Sequence, residues 1–161
     1  MQNPRIENIS PKKLVGMMMP MSFQNHNPGP LWSKFMPLRN TIQHRIDHRF
    51  VSLQRSPEGL LMSEYTPSTI FEKWALVEVS AFENIPEGMK SFELTEGYYA
   101  VFRHVGNTPQ GFMKSIGYIL NEWLPSSGFH LDNRPHFEVL DEKYDRLNPA
   151  SEEDIWIPIK K

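Results

Sequence analysis

Residues 84–106 read NIPEGMKSFELTEGYYAVFRHVG, a loop that leads into a segment with alternating faces. Within residues 98–105 the even positions, Phe102 among them, face one way and the odd positions face the other, because successive side chains of a strand point to opposite sides. The glycines in PEGM, TEGY and HVGN are typical of turns. The pattern predicts one strand between two turns, and the segments that follow extend it into half of a domain.

A helix and two strands are predicted after this strand. The segment TPQGFMKSIGYILNEWLP begins with Thr108 as a helix cap and Pro109 at the first helical position. Its apolar residues form one stripe at helical spacing, and Pro125 predicts its end. Two closing strands are predicted in PHFEVLDEKY (135–144) and DIWIPIK (154–160).

The first half of the chain shows the same kinds of element. Residues 12–23, KKLVGMMMPMSF, favour a strand in which Pro20 requires an edge or a bulge. From Pro30 to Ile42 apolar residues recur at helical spacing, and Pro37 predicts a kink or a restart. The remaining predictions are a hairpin of RFVSL (49–53) with GLLMSEYT (59–66), and a strand over FEKWALVEVSAF (71–82).

The two halves repeat one order of elements: a strand, a turn with Pro and Gly, an aromatic-bearing helix and two strands. We therefore predict an α+β fold in a single domain over residues 1–161, with pseudo-repeats at about 1–83 and 84–161. Such a duplication predicts antiparallel sheets related by a pseudo-twofold axis, with a cleft where the halves meet.

Composition limits the class of protein. The 161 residues include no cysteine, which excludes a disulfide framework, a thiolate zinc site and a cysteine nucleophile, and fits a reducing cytoplasm. No apolar run reaches the roughly 20 residues that span a bilayer, so we expect no membrane insertion. The formal charge is -2 and the basic residues are scattered, so we expect no direct binding of nucleic acid. The 9 Met, 10 Phe, 5 Tyr and 4 Trp suit an adaptable pocket as well as an ordinary core.

The motifs from NIPEGMKSFELTEGYYAVFRHVG, through the helix ending in EWLP, to PHFEVL and DIWIPI resemble the GyrI-like effector-binding domains of bacterial transcription activators. The resemblance is strongest over residues 84–159. It implies a duplicated α+β fold with a central ligand cleft, and a glutamate at the position of Glu138 that points into this cleft. Members of the family are ligand-sensing parts of transcription regulators, free-standing proteins including a gyrase inhibitor, or hydrolases of cyclopropane-bearing toxins. The fold does not choose among these functions.

Glu138 has two interpretations. In HFEVL it shares a strand face with His136 and Leu140, so it lies on a solvated outer face if Phe137 and Val139 are core. The resemblance instead places it in the cleft, where desolvation would raise its pKa and a cationic aromatic ligand would restore its charge. The residues expected around the ligand are Glu138 and the aromatic candidates Trp32, Trp74, Phe102 and Trp156, with Tyr65 and Tyr98 as hydroxyl donors.

The leading hypothesis is reversible binding of a small apolar or cationic aromatic molecule, as a sensor or scavenger, without a cofactor or a metal. The chain begins almost at its first strand and shows no helix-turn-helix segment, so a regulatory output would pass through a protein partner. The alternatives are a hydrolase of strained electrophilic toxins that uses Glu138, and a protein-binding inhibitor that uses an outer surface. His44 and His48 have the spacing of metal ligands on one helical face, but no third ligand accompanies them, and we interpret them as solvated.

Overall fold

The computed structural model describes residues 3–161, which form nine strands and three α-helices. The first four strands are β1 (Arg5–Ile9), β2 (Lys12–Met21), β3 (Phe50–Arg55) and β4 (Phe71–Val79). The others are β5 (Lys90–Leu94), β6 (Gly97–Val105), β7 (His130–Leu131), β8 (His136–Leu140) and β9 (Glu152–Lys160). The helices are α1 (Gly29–Phe35), α2 (Pro109–Tyr118) and α3 (Leu124–Ser127).

The nine strands form one antiparallel sheet in the order β1-β6-β9-β8-β3-β4-β2-β5, with β7 paired to β9. The halves exchange their first strands, since β1 pairs with β6 and β5 pairs with β2. They meet in the middle of the sheet, where β3 pairs with β8. The duplicated α+β fold is confirmed, and the sheets expected for each half are joined into one because this central pair closes the strand edges between them.

Two prolines behave as predicted. β5 pairs with β2 only as far as Gly16, so Pro20 lies where β2 has β4 as its neighbour and an open edge on the other side. An edge is where a strand tolerates a residue without an N–H donor. The first helix changes at Met36 into a 3₁₀ helix, Met36–Thr41, with Pro37 in its first turn, which is the predicted kink.

Other local predictions are wrong. Residues 59–66 do not form the second strand of a hairpin: they lie in the loop between β3 and β4, with a short 3₁₀ turn at Met62–Glu64. β1 precedes the first predicted strand and β5 lies in the segment predicted as a loop, because charged residues interrupt the alternation of both. As edge strands they are exposed along part of their length, which explains those charges.

The helix of the second half begins as predicted and ends later. The Thr108 hydroxyl accepts a hydrogen bond from the Gly111 N–H and caps α2. A π-helical segment, Ile119–Trp123, connects α2 to α3, so the chain stays helical past Pro125. Because Pro125 has no N–H group to donate, the helix continues past it through a wider π turn. The helix ends at Gly128, which has a left-handed φ of 81°.

One face of the sheet is an apolar core built from strands. The register partners across the four central strands are Trp74 of β4, Leu53 of β3, Phe137 of β8 and Trp156 of β9. They belong to a cluster, called here the strand cluster, whose members within residues 3–161 all come from strands. It also includes Ile9 and Leu94 of the two edge strands. Apolar packing on this face therefore extends from one edge strand to the other.

The opposite face carries the helices. α1 packs with β2 and β4 in what we call the α1 cluster, which includes Leu31 and Phe35. α2 and the π segment pack with β6 and β9 in the α2 cluster, which includes Ile116 and Ile119. Among the described residues, no helix is long and apolar enough to cross a membrane.

Candidate functional site

A polar strip of the sheet lies between the two helix-covered clusters. The register partners on this face of the central strands are Ala75 of β4, Ser52 of β3, Glu138 of β8 and Ile155 of β9. Ala75 belongs to the α1 cluster and Ile155 to the α2 cluster. Ser52 and Glu138 therefore lie between the clusters, at the junction of the two halves. The structure has Glu138 on the helix side of the sheet and 5% exposed, not on a solvated outer face.

The next row on the same face is also polar. Lys73, Gln54 and His136 are register partners on β4, β3 and β8, and all three side chains are buried. The Lys73 Nζ lies 3.9 Å from the Glu138 Oε1. With its oxygen toward Lys73, the Gln54 amide accepts from the ammonium group and donates to the His136 main-chain oxygen at 3.1 Å. We call these residues, with Ser52, the polar floor.

Burial determines the protonation of the polar floor. It raises the pKa of Glu138, and the Lys73 charge opposes this shift. Burial lowers the pKa of Lys73, against the attraction of Glu138. The pKa of His136 falls to about 3 through burial and then the Lys73 charge, so this imidazole is neutral at pH 7. Lys73 and Glu138, 3.9 Å apart, thus lie beside a neutral imidazole and a neutral amide.

A second carboxylate stands at the rim of the floor. Glu153 is on the helix face of β9, two residues before Ile155. Burial, and then the negative charge of Glu138, raise its pKa to about 8. Glu153 and Glu138 both raise the pKa of Tyr144 beyond the effect of burial, which indicates that Tyr144 lies near both carboxylates. On the other side of the floor, partial burial and then the Lys73 charge lower the pKa of His26.

Three predicted aromatic residues lie on the same face as Glu138. Trp32 packs edge-on against Phe50, the β3 residue two positions from Ser52 on this face, at 6.2 Å between ring centroids. Tyr65 stacks on Phe71, two residues before Lys73, at 5.6 Å. Phe102 is the register partner of Ile155 and is fully buried beneath the π segment. Trp32 and Tyr65 belong to the α1 side of the cleft and Phe102 to the α2 side.

Three other predicted residues lie elsewhere. Trp74 and Trp156 belong to the strand cluster, on the face of the sheet opposite Glu138. Strand alternation is the reason: Trp74 follows Lys73, which faces the cleft, and Trp156 follows Ile155. Tyr98 is on the helix face of β6 but 43% exposed at the end of the strand, four residues from Phe102.

The loop between β3 and β4 packs on both helix-covered clusters. It begins directly after β3, next to Gln54 of the polar floor. Its residues Leu61 and Met62 pack on the α2 cluster, while Tyr65 packs in the α1 cluster. The loop, which follows β3 directly after Gln54 and Arg55, therefore joins the two clusters.

The sequence reading missed Lys73, Gln54, His136 and Glu153 as site residues. One signal was present for Lys73, since its strand alternates and Lys73 is the charged residue on the face of Ala75, Val77 and Val79. A lysine on an otherwise apolar strand face indicates a buried charge with a partner. Gln54 and Glu153 had no comparable signal, because their neighbours are polar or charged.

The two histidines with metal-ligand spacing are not on one helical face. The helical segment ends at Thr41, and His44 has a left-handed φ of 64° in the loop that follows. The His44 Nε2 lies 3.2 Å from the Glu83 carboxylate, and the His48 Nε2 lies 2.9 Å from that of Glu142. Both histidines are exposed, as predicted, but the helix ends before them and they share no helical face.

A cavity of about 670 Å³ lies away from the polar floor, at the ends of β6 and β9. Arg5, Arg103 and Glu152 are among its lining residues. Both arginines bind Asp154, at 3.3 Å and 3.1 Å. Because these cations are paired within the protein, we place the candidate site at the buried polar floor and not at this cavity.

Comparison with known proteins identifies the relatives of this chain. The family model of the integron-associated effector binding proteins (Cass2) matches residues 5–159. The transcriptional regulator BrlR of Pseudomonas aeruginosa is 31% identical over 150 residues, which are 91% of this chain and 51% of BrlR. The chain thus spans about half the length of that curated relative.

Two solved structures share the fold over nearly the whole chain. SAV2435, in a complex with tetraphenylphosphonium, superposes with a TM-score of 0.74 at 14% identity, covering 99% of this chain and 94% of that one. An integron cassette protein from the mobile metagenome of Vibrio cholerae superposes with a TM-score of 0.67 at 16% identity, covering 99% of this chain and 97% of that one. At these identities the likeness is one of fold.

Proposed function

Because the chain belongs to the family of integron-associated effector binding proteins, with a domain of the GyrI-like type, we propose that it binds a small aromatic molecule reversibly in the cleft above Glu138. One observation carries this proposal: a buried polar floor lies between two aromatic-rich clusters. Burial of polar groups costs free energy, and a few convergent polar groups inside an apolar cleft are typical of ligand sites. The tetraphenylphosphonium complex of SAV2435 supports the same use of the fold.

The proposed site has a distinct role for each part. The polar floor would orient the ligand, and Trp32 and Tyr65 on one side and Phe102 on the other would supply apolar contact. The loop between β3 and β4, which touches both clusters, would limit the length of the ligand at the Gln54 end. We further propose that the domain acts as a sensor or scavenger in the cytoplasm, in line with its similarity to the transcriptional regulator BrlR.

A thermal-shift screen followed by calorimetry tests the proposal. The screen uses lipophilic cations and neutral aromatic compounds, because a ligand at 100 times its Kd stabilises the folded state by about 2.7 kcal/mol. Ser52→Phe adds a ring at the centre of the cleft floor and is expected to weaken every hit by at least about tenfold, the equivalent of a lost contact of about 1.4 kcal/mol. Ser91→Phe, at an exposed position on the edge strand β5, is the matched control and should bind like the wild type.

Two results would oppose the proposal. Unchanged affinity in a folded Ser52→Phe protein would move the binding site away from the cleft. If Ser52→Phe does not fold, Glu138→Gln serves as the second variant. It keeps the side-chain shape and is expected to weaken the binding of hits that donate a hydrogen bond to the floor. If incubation changed the mass of a compound and Glu138→Gln abolished that change while the compound still bound, the hydrolase hypothesis would replace simple binding.

A further inference from the structure

Lys73 is the unusual member of the polar floor. Its neighbours on the cleft face of β4 are Phe71 and Ala75, which both belong to the α1 cluster. The residue is 5% exposed, and its Nζ lies 3.9 Å from the Glu138 carboxylate and in contact with the Gln54 amide. A lysine is seldom buried to this degree, and only with partners. The ammonium group thus occupies a position beside Glu138 in which a cationic ligand would otherwise sit.

The charges around this position are nearly balanced within the protein. Glu138 faces Lys73 from β8, and Glu153 faces it from β9 at a longer range. His136 and Gln54 approach as neutral groups, and His26 approaches from the loop before α1. A ligand cation that approached Glu138 would gain the attraction of the carboxylate and meet the repulsion of Lys73 at a similar distance.

We propose that Lys73 is a built-in counter-ion that sets the ligand class of the cleft: neutral aromatic compounds with a strong hydrogen-bond acceptor, in preference to lipophilic monocations. This inference rests on the proposed function. An acceptor group on the ligand would receive a hydrogen bond from the ammonium group, and such charge-assisted bonds are roughly twice as strong as neutral ones. A monocation would leave two like charges together in a poorly solvated site, where the interaction between charges is much stronger than in water.

Two probes of similar size, one neutral and one cationic, test the inference. Triphenylphosphine oxide is neutral and has a strong acceptor oxygen, and methyltriphenylphosphonium is a monocation with the same three rings. The wild type is expected to bind the oxide more tightly. Lys73→Met is expected to reverse this order, with the phosphonium bound at least about tenfold more tightly than by the wild type, since the repulsion removed exceeds the energy of a tenfold change.

A second variant separates the charge of Lys73 from its hydrogen bond. Lys73→Gln removes the charge and keeps a donor, so it should retain the gain for the phosphonium while losing less affinity for the oxide than Lys73→Met. Lys34→Met, at an exposed position of α1, is the matched control and should change neither affinity. Thermal unfolding of each variant verifies that it is folded.

The outcomes distinguish the inference from the function on which it rests. Wild-type protein that prefers the phosphonium, or folded Lys73→Met and Lys73→Gln proteins with unchanged affinities, would overturn the role of Lys73 while the cleft still binds ligands. If neither probe nor any compound of the wider screen binds the wild type or the variants, the proposed function fails and the inference fails with it. Reversal of the preference in both variants supports the counter-ion.

Discussion

The two faces of the four central strands differ in polarity. On one face, Trp74, Leu53, Phe137 and Trp156 form a continuous apolar row across the sheet. On the other face, the adjacent residues of β4, β3 and β8 form a polar row of Lys73, Gln54 and His136. Both rows are largely buried. The same strands therefore hold a conventional core and a buried set of charges and amides, separated by the thickness of one sheet.

The difference indicates which face stabilises the fold and which one is available for function. The apolar row packs ring against ring, with Phe137 and Trp156 stacked at 5.2 Å. Burial of such rings is a dominant favourable contribution to folding. The polar floor gains much less, because the desolvation of Lys73 and Glu138 offsets their attraction. We therefore propose that the polar face serves ligand binding and that the apolar face stabilises the fold.

The largest expected effect breaks the apolar row. Phe137→Ala removes a buried ring that contacts both Tyr99 and Trp156, and the cavity left behind should destabilise the protein by about 3–5 kcal/mol. Urea denaturation at constant m-value measures the loss. Leu147→Ala, at a position that is 80% exposed, should change stability by less than about 0.5 kcal/mol. An effect of Phe137→Ala as small as that of Leu147→Ala would show that the strand cluster is not the principal core.

The sequence predicted the larger part of the fold, because that part depends on alternation and on breakers. The strands around Ala75 and Phe102, the cap at Thr108 and the change of helix type near Pro37 all followed from local patterns. The edge strands β1 and β5 did not, since half-exposed strands with charged residues lack a clear apolar face. Their exchange between the halves depends on long-range pairing that local patterns do not contain.

The site was predictable only in part. Alternation correctly grouped His136 with Glu138, but it could not decide whether that face met solvent or helices, and the family resemblance was needed for Glu138. Trp74 and Trp156 were predicted from their aromatic character alone, but strand alternation places them on the face opposite Glu138. Because each strand is buried on both sides, aromatic character alone does not distinguish the core from the cleft.

A smaller effect of opposite sign is expected from making the polar face resemble the apolar one. The double variant Lys73→Met with Glu138→Leu replaces the buried ion pair by apolar side chains and should be neutral or stabilising by about 1–4 kcal/mol. Glu138→Leu alone should be less stable than the double variant, because it leaves the Lys73 ammonium buried without its carboxylate. Equilibrium denaturation of the wild type, both single variants and the double variant forms a complete mutant cycle.

The cycle also tests whether the apolar face stabilises the fold while the polar face binds the ligand. The stabilised double variant should lose affinity for triphenylphosphine oxide, because both charged groups of the floor are gone. A double variant that is strongly destabilised would instead mean that the pair Lys73–Glu138 holds the halves together. In that case the contrast between a stabilising face and a binding face would not stand.

The smallest effect is a pH dependence that arises on the polar side alone. The pKa of Glu153 is about 8 in the folded protein, from burial and the Glu138 charge, and 4.5 is its ordinary value. Between these values the folded protein binds one proton more than the unfolded chain, so this contribution is complete below 4.5 and is lost as the pH rises through 8. The slope for one proton is at most about 1.4 kcal/mol per pH unit, and residual solvation of Glu153 reduces it.

The variant Glu153→Gln isolates this contribution, because the amide has no proton to lose. The pKa of His136 is lowered to about 3, so its contribution has the opposite sign and ends near its ordinary value of 6.5. The difference in stability between wild type and Glu153→Gln, measured by urea denaturation from pH 6.5 to pH 8, should therefore shift in favour of the variant. A constant difference over this range would mean that Glu153 is solvated and ionised, and that the polar floor ends at Glu138.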